Sequence, residues 1–385
     1  MQSTQPPVDV IDHLLGLTQG DPLYVLRHAR DKVVDATQAF HHKAFHATDL
    51  SREQQWNRWF VAALLARVTG PAELADFYRQ HLKALTPPAD YQLLLDGQEA
   101  DSAALTALAA YAQALAVRPA TADRQALLGL VEAGWPVPEL VALAQVMGYV
   151  SYQARNLIGL KALKEVQNTV GQATSGDEAA EPFVHPAHLP PPGQLLEIQG
   201  FTNASLDWQA WLPIQNSSTL TDTQVAILAT SHPKAQESDY YMLLIQAPEL
   251  LEQRSLVYNA IMYAPGGAAR AEREVAATTV SRVNGCVYCA SVHAQRFEQL
   301  AKRNDVIAQI FDQPETAGAS ARERAIVQMA IALTREPESF GSAQLQPLLA
   351  QGVTPEQIRD LIASVAIFAW ANRLMLNLGQ EVRPA

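Results

Sequence analysis

The chain of 385 residues is 48% apolar and carries a formal net charge of −11, from 28 basic and 39 acidic side chains. That length suits two domains or one large one. With no long basic stripe the charge argues against a nucleic-acid partner, whose phosphates demand clustered Lys and Arg, and with no uncharged apolar run of about 18 residues a membrane span is not expected.

The first residues, MQSTQPPVDVIDHL, hold no basic stretch leading into an apolar segment, so a cytoplasmic location is expected. Helical periodicity then dominates, without sustained strand-type alternation, and predicts an all-α fold. His42 and His46 stand one helical turn apart beside His41; with no acidic third ligand near in sequence, the three read as exposed helix histidines and not as a metal site. Residues 103–115 and 322–333 are rich in helix formers with apolar positions at helical spacing. Between Gly171 and Gly200 lies a seam of Pro, Gly, Ala and acidic residues, with Pro190 to Pro192 consecutive and His185 and His188 inside it. Such a segment is extended or irregular. It divides the chain into residues 1–170, a linker 171–205 and residues 206–385, with Trp208 and Trp211 placed to pin the connector onto a domain surface.

The two flanking parts read as diverged copies. Arg67-Val68-Thr69-Gly70 matches Arg282-Val283-Asn284-Gly285 at an offset of 215, and Ala114-Leu115 with Arg118-Pro119 matches Ala332-Leu333 with Glu336-Pro337 at 218. Pro138-Glu139 pairs with Pro355-Glu356, and Ala154-Arg155-Asn156 with Ala371-Asn372-Arg373, at 217. A nearly constant offset in a common order suggests one ancestral helical unit used twice.

Only two cysteines occur, Cys286 and Cys289. A secreted disulfide scaffold spreads its cysteines to close long loops; two that stand three apart close almost none, so chemistry explains them better. They lie in a segment running from Glu274 to His293 with the pattern Glu-x11-Cys-x2-Cys-x3-His. Residues 270–283 predict a helix, and Asn284-Gly285 ends it, since both tolerate the left-handed conformation. Cys286 then opens the next helix, where free N–H groups and the dipole favour a thiolate. Cys286, Cys289 and His293 share one face of that helix, and the imidazole can take a thiol proton. In one straight helix Glu274 would stand about 18 Å from Cys286; the turn is what folds its carboxylate back to form a Glu–thiol or water-bridged relay. Opposite Cys286, Cys289, His293 and Glu274, the first copy has Pro71, Leu74, Tyr78 and Trp59, a frame without reactive groups. The same residues also admit blander readings: two inert thiols, or three zinc ligands with an open fourth position.

This pattern resembles that of the alkylhydroperoxidase D and carboxymuconolactone decarboxylase superfamily, closely over residues 268–300 and more loosely over 206–379. The resemblance implies an all-helical, usually homo-oligomeric peroxidase that reduces hydroperoxides through a cysteine pair, without metal, haem or flavin. It assigns the peroxidatic role to Cys289, the resolving role to Cys286 and the proton relay to Glu274 and His293. The thiolate becomes a sulfenic acid, the second thiol condenses with it, and a dithiol or thioredoxin-like donor restores the pair. One position departs: Tyr288 stands where the alkylhydroperoxidase D pattern has a histidine, and a phenol is a poor base at neutral pH but a good donor. A lyase of the decarboxylase branch, or a helical scaffold without catalysis, are the alternative functions. Asn372 and Arg373 are expected to brace the site or the packing around it.

Overall fold

The computed structural model describes residues 9–169 and 193–383. The expectation of an irregular connector at 171–192, with its two histidines, lies outside the described residues. The fold is all-α, as its periodicity predicts. The first part holds α1 (Val10–Leu15), α2 (Pro22–His28), α3 (Asp31–Phe45), α4 (Arg52–Thr69), α5 (Ala72–Ala84), α6 (Ala89–Leu95), α7 (Ala103–Val117), α8 (Arg124–Glu132) and α9 (Val137–Thr169). The second holds α10 (Asp222–Ser231), α11 (Asp239–Leu244), α12 (Pro248–Met262), α13 (Arg270–Asn284), α14 (Val287–Ala301), α15 (Asp305–Asp312), α16 (Ala321–Arg335), α17 (Gln346–Ala350) and α18 (Pro355–Asn377). Several starts are written in the sequence as N-caps. Ser51, Ser102, Asp123, Thr221, Ser320 and Thr354 each accept a hydrogen bond from the backbone N–H three residues on, a contact worth about 1 kcal/mol apiece.

Two short antiparallel ribbons interrupt the helices, which periodicity did not foresee because strands of two to four residues show no alternation to read. β1 (Glu197–Ile198) pairs with β2 (Phe201–Thr202), and β3 (Asp207–Ala210) pairs with β4 (Gly379–Val382). The second ribbon ties the exit of the seam to the end of α18. Trp208 donates from Nε1 to the Met375 carbonyl at 3.0 Å and Trp211 to Oε1 of Gln380 at 3.2 Å. Both indoles thus hold the β3 segment to the end of α18 and to β4.

The two long helices α9 and α18 run antiparallel through the middle. Gly148 of α9 lies against Trp370, and Gly159 against Ile362; a methyl group at Gly148 would run into the indole. Trp370, fully buried, meets Phe40 edge-on at 4.5 Å and Tyr149 at 5.5 Å. Two buried arginines cross between the parts in reciprocal fashion. Arg155 of α9 donates to Ser151 O and to Thr334 O at the end of α16. Arg373 of α18 donates to Ala369 O and to Ala116 O at the end of α7. Each guanidinium thereby satisfies carbonyls that a helix C-terminus leaves without partners.

A buried carboxylate, Asp360, fixes the start of α13. It accepts from Arg30 at 2.6 and 3.1 Å, from Arg359 at 2.7 and 3.1 Å, from Arg273 at 3.3 Å and from the Ala268 amide at 3.2 Å. Burial alone would raise its pKa, but Arg30 and Arg359 more than offset that and hold the carboxyl below its ordinary range. No helix among the described residues is long and apolar enough to cross a membrane.

The central crossing makes a sharp prediction. Gly148→Ala forces the indole of Trp370 out of a packed core and should destabilise the fold by about 1–3 kcal/mol. Gly129→Ala, in the interior of α8 where an added methyl group meets nothing within 4 Å, should instead stabilise it by up to about 1 kcal/mol. Urea unfolding of the two variants beside the parent chain measures both.

Candidate active site

The site is built by the turn between α13 and α14. Gly285 takes the left-handed conformation at φ 79° and donates its N–H to Arg282 O and Ser281 O. Cys286 follows as N-cap of α14, its own N–H bonded to Ser281 O at 2.8 Å. Asn372 locks this corner from α18: it donates to Ser281 Oγ at 3.1 Å and accepts from Asn284 Nδ2 at 3.0 Å. The bracing expected of Asn372 is therefore found here, whereas Arg373 serves the crossing between the two parts. Along buried α13, Thr278, Thr279 and Ser281 each return their hydroxyl to the carbonyl four residues back, so these three hydroxyls are satisfied within the helix.

Folding back at Gly285 brings Glu274 beside His293. Glu274 Oε2 and His293 Nδ1 stand 2.5 Å apart, and both side chains are buried. The other carboxylate oxygen, Oε1, accepts from Arg270 Nε at 3.3 Å. Arg270 itself lies over the exposed ring of Tyr263, 4.3 Å from its centroid. The far side of the imidazole, Nε2, faces the Tyr258 hydroxyl at a long 3.5 Å, and Phe368 packs edge-on against the ring at 4.3 Å. The carboxylate thus meets the imidazole and not a sulfur, and no hydrogen bond among the described residues joins His293 to either cysteine.

Both sulfurs are buried, Cys286 at 2% and Cys289 at 5% exposure. Both are free thiols, and Cys286 Sγ donates to Cys289 Sγ across 2.9 Å. The expectation that the helix dipole makes Cys286 the thiolate is overturned. Burial, then the neighbouring Cys289 sulfur, push its pKa well above the ordinary thiol value, and the backbone N–H of Cys289, which lowers it, does not make up the difference. Desolvation of the charged form here outweighs the end of a helix and its N–H. Tyr288 is half-buried beside them. Burial and the nearby Cys289 push its phenol up to about 12, so across the neutral range it can donate a proton but not take one.

Three residues around this centre escaped the sequence reading. Tyr258 and Arg254 come from α12 and Phe368 from α18. Arg254 is buried, its guanidinium 5.5 Å from the ring centroid of Tyr240 and 5.1 Å from that of Tyr258. The one sequence signal was their spacing: Arg254 and Tyr258 are four apart, like Cys289 and His293.

In the first part, the positions aligned with the site also touch. Trp59 and Tyr78 rings lie 5.7 Å apart, and His41 lies 6.0 Å from Trp59 and 6.3 Å from Tyr78. His42 and His46 are exposed as expected, but His41 is not: it is buried among aromatic rings with Nδ1 unpartnered. Its apolar neighbours come from α4, α5 and α9, which local sequence could not show. Among the described residues no group of three or more His, Cys, Asp or Glu side chains is placed to hold a metal ion.

Residues 248–332 match the model of the carboxymuconolactone decarboxylase family. That segment runs from the start of α12 into α16 and carries Glu274, Cys286, Tyr288, Cys289 and His293, and its family is one of those the motif resembles. Among solved structures, the chain is similar to one from Ralstonia eutropha JMP134 described as the alkylhydroperoxidase AhpD core of an uncharacterized peroxidase-related protein. The match has 24% identity and a TM-score of 0.38 and covers 42% of this chain and 86% of that one. No curated protein sequence matches.

Two measurements follow. His41 is held neutral by burial, its pKa lowered from 6.5 to about 3. Above pH 6.5 the group is neutral folded or unfolded and its contribution is intact; below it the unfolded chain takes up the proton first. Stability should therefore fall from pH 6.5 down to about 3, by up to about 1.4 kcal/mol per pH unit from this residue. Acid unfolding of His41→Gln should be correspondingly shallower. For the cysteines, substoichiometric iodoacetamide at pH 7 followed by peptide mapping should label Cys289 before Cys286.

Proposed function

We propose that the chain is a thiol-dependent peroxidase that reduces hydroperoxides through a dithiol–disulfide cycle at Cys286 and Cys289. The observation that carries the reading is the direct sulfur contact, in which Cys286 donates its S–H to Cys289. A thiol that donates stabilises negative charge on its acceptor, so Cys289 is the nucleophile and Cys286 the group that resolves.

The cycle balances as follows. The Cys289 thiolate attacks the terminal oxygen of ROOH; the O–O bond breaks, Cys289 becomes a sulfenic acid and RO⁻ leaves. The leaving alkoxide takes a proton from the site, and the Glu274–His293 pair is the acid–base couple that supplies and recovers it. The Cys286 sulfur then attacks Cys289, forming the disulfide and releasing water. An external dithiol returns two electrons and two protons. Tyr288, a phenol through the working range, holds a place at the sulfurs as a donor. The same proposal takes the chain as two diverged copies, in which the first keeps the frame and fills the reactive positions with Trp59 and Tyr78.

A second reading has one observation in its favour. Glu274 and His293 form a complete acid–base couple that touches neither sulfur, as a lyase of the decarboxylase branch would use. Thiol counting separates the two. The reduced protein mixed with excess hydroperoxide should lose two free thiols per chain rapidly, and Cys289→Ser should abolish that loss. His293→Ala should slow it by about 100-fold or more. Unchanged thiols, with lactone turnover that survives loss of both cysteines, would establish the lyase instead.

A further inference from the structure

Arg254 is a buried cation in an unusual setting. The other guanidiniums buried to this degree are bonded to carboxylates or helix-end carbonyls: Arg27 to Asp9 and Asp12, Arg273 and Arg359 to Asp360, and Arg58, Arg155 and Arg373 to the ends of α3, α16 and α7. Arg254 has no carboxylate within ion-pair distance among the described residues; its Nε, like those of Arg155, Arg273 and Arg373, has no hydrogen-bond partner, and its hydrogen-bonding neighbour is the Tyr241 phenol. It lies instead beside the faces of Tyr240 and Tyr258. A buried charge without a counter-charge costs several kcal/mol, which ring faces at about 0.5–2 kcal/mol each do not cancel.

The contacts of Tyr258 point to where the counter-charge comes from. Its ring lies 5.1 Å from the Arg254 guanidinium and its hydroxyl faces His293, and Cys289 stands one turn from His293 on α14, on the same face. Cys289 is accordingly among the groups that act electrostatically on Arg254. The phenols around it do not compete for the negative charge, because burial raises Tyr240, Tyr241 and Tyr258 alike. The titratable and charged groups gathered here are Tyr240 and Tyr241 from α11, Arg254 and Tyr258 from α12, Cys286, Tyr288 and His293 from α14, Glu274 from α13 behind the imidazole, and Glu381 from β4 on the Cys286 side.

We propose that Arg254 is the counter-charge of the Cys289 thiolate, a positioning residue that keeps the attacking sulfur ionised among buried aromatic rings. The thiol proton passes to water, and the cation and the anion that remain neutralise each other. The inference rests on reading the two cysteines as working thiols, but not on the identity of their oxidant. It also gives the site two supports of different kind: Cys286 donates a hydrogen bond to the sulfur, and Arg254 supplies the charge.

The test uses the full-length reduced chain and no peroxide. Iodoacetamide alkylation of Cys289, followed by peptide mapping across pH 5 to 10 (a range of about five units), reports the thiolate. In Arg254→Gln the rate at pH 7 should fall about tenfold or more, since an opposite charge at close range is worth about 1–3 pH units, and should return to the parent plateau at high pH. Arg254→Lys should keep most of the neutral-pH rate. An unchanged pH profile in a folded Arg254→Gln protein, or an equal loss in Gln and Lys variants at every pH, overturns the proposal. A second measurement does not depend on Arg254→Gln folding. Cys289→Asp puts a permanent anion at the same place and should melt higher than its neutral isostere Cys289→Asn at pH 7; the opposite order overturns the proposal. Were these results obtained while excess hydroperoxide left the thiols untouched, the counter-charge would stand and the peroxidase reading would fall.

Discussion

A carboxylate that leaves water must find its compensation inside the protein, and Asp360 finds it in three guanidiniums and a backbone amide. Those donors come from distant parts of the chain: Arg30 before α3, Ala268 and Arg273 around the start of α13, and Arg359 beside it on α18. Arg273 also bonds the carbonyls of Ile261, Ala264 and Gly266, so the passage from α12 to α13 is fixed at both ends. Removing one partner of such a buried group typically costs about 3–5 kcal/mol. What the network sets is rotation. With Arg273 turned toward Asp360, the next residue, Glu274, is turned toward α14 and the imidazole.

From that constraint the site assembles with little freedom. α13 can end only where Gly285 adopts its positive φ, Cys286 must then begin α14, and Asn372 holds the corner from α18. The candidate groups stand on α13, buried along most of its length, and on the inward face of α14, the kind of support that keeps geometry within the narrow tolerance chemistry needs. The interior charges are balanced locally and not by solvent: Glu274 against His293 and Arg270, Asp360 against its arginines, Arg155 and Arg373 against helix ends.

Much of this was legible because it is local. Asn284-Gly285 announces a helix end, and the Cys-x2-Cys-x3-His spacing announces one face. What stayed hidden depends on other segments. Tyr258, Arg254 and Phe368 have ordinary places in ordinary amphipathic helices, and only tertiary packing turns them toward the sulfurs. Cys286 misled for the same reason: the helix end is visible in sequence, but the desolvation that overrides it is not. His41 looked like its exposed neighbours until α4, α5 and α9 closed over it. The ribbons at β3 and β4 join residues more than 150 positions apart, beyond any periodicity.

The depth of the two sulfurs carries a consequence for how the pair is recharged. Cys286 and Cys289 are 2% and 5% exposed. A diffusing small molecule needs only a brief parting of side chains to arrive, whereas the cysteine of a folded donor protein is bound to a surface that cannot follow it inward. In the proposed cycle, the first turn of α14 or the ring of Tyr288 would have to swing out before such a donor's sulfur met the pair, and turnover with it would be limited by how often that opening occurs, a limit a compact dithiol would escape.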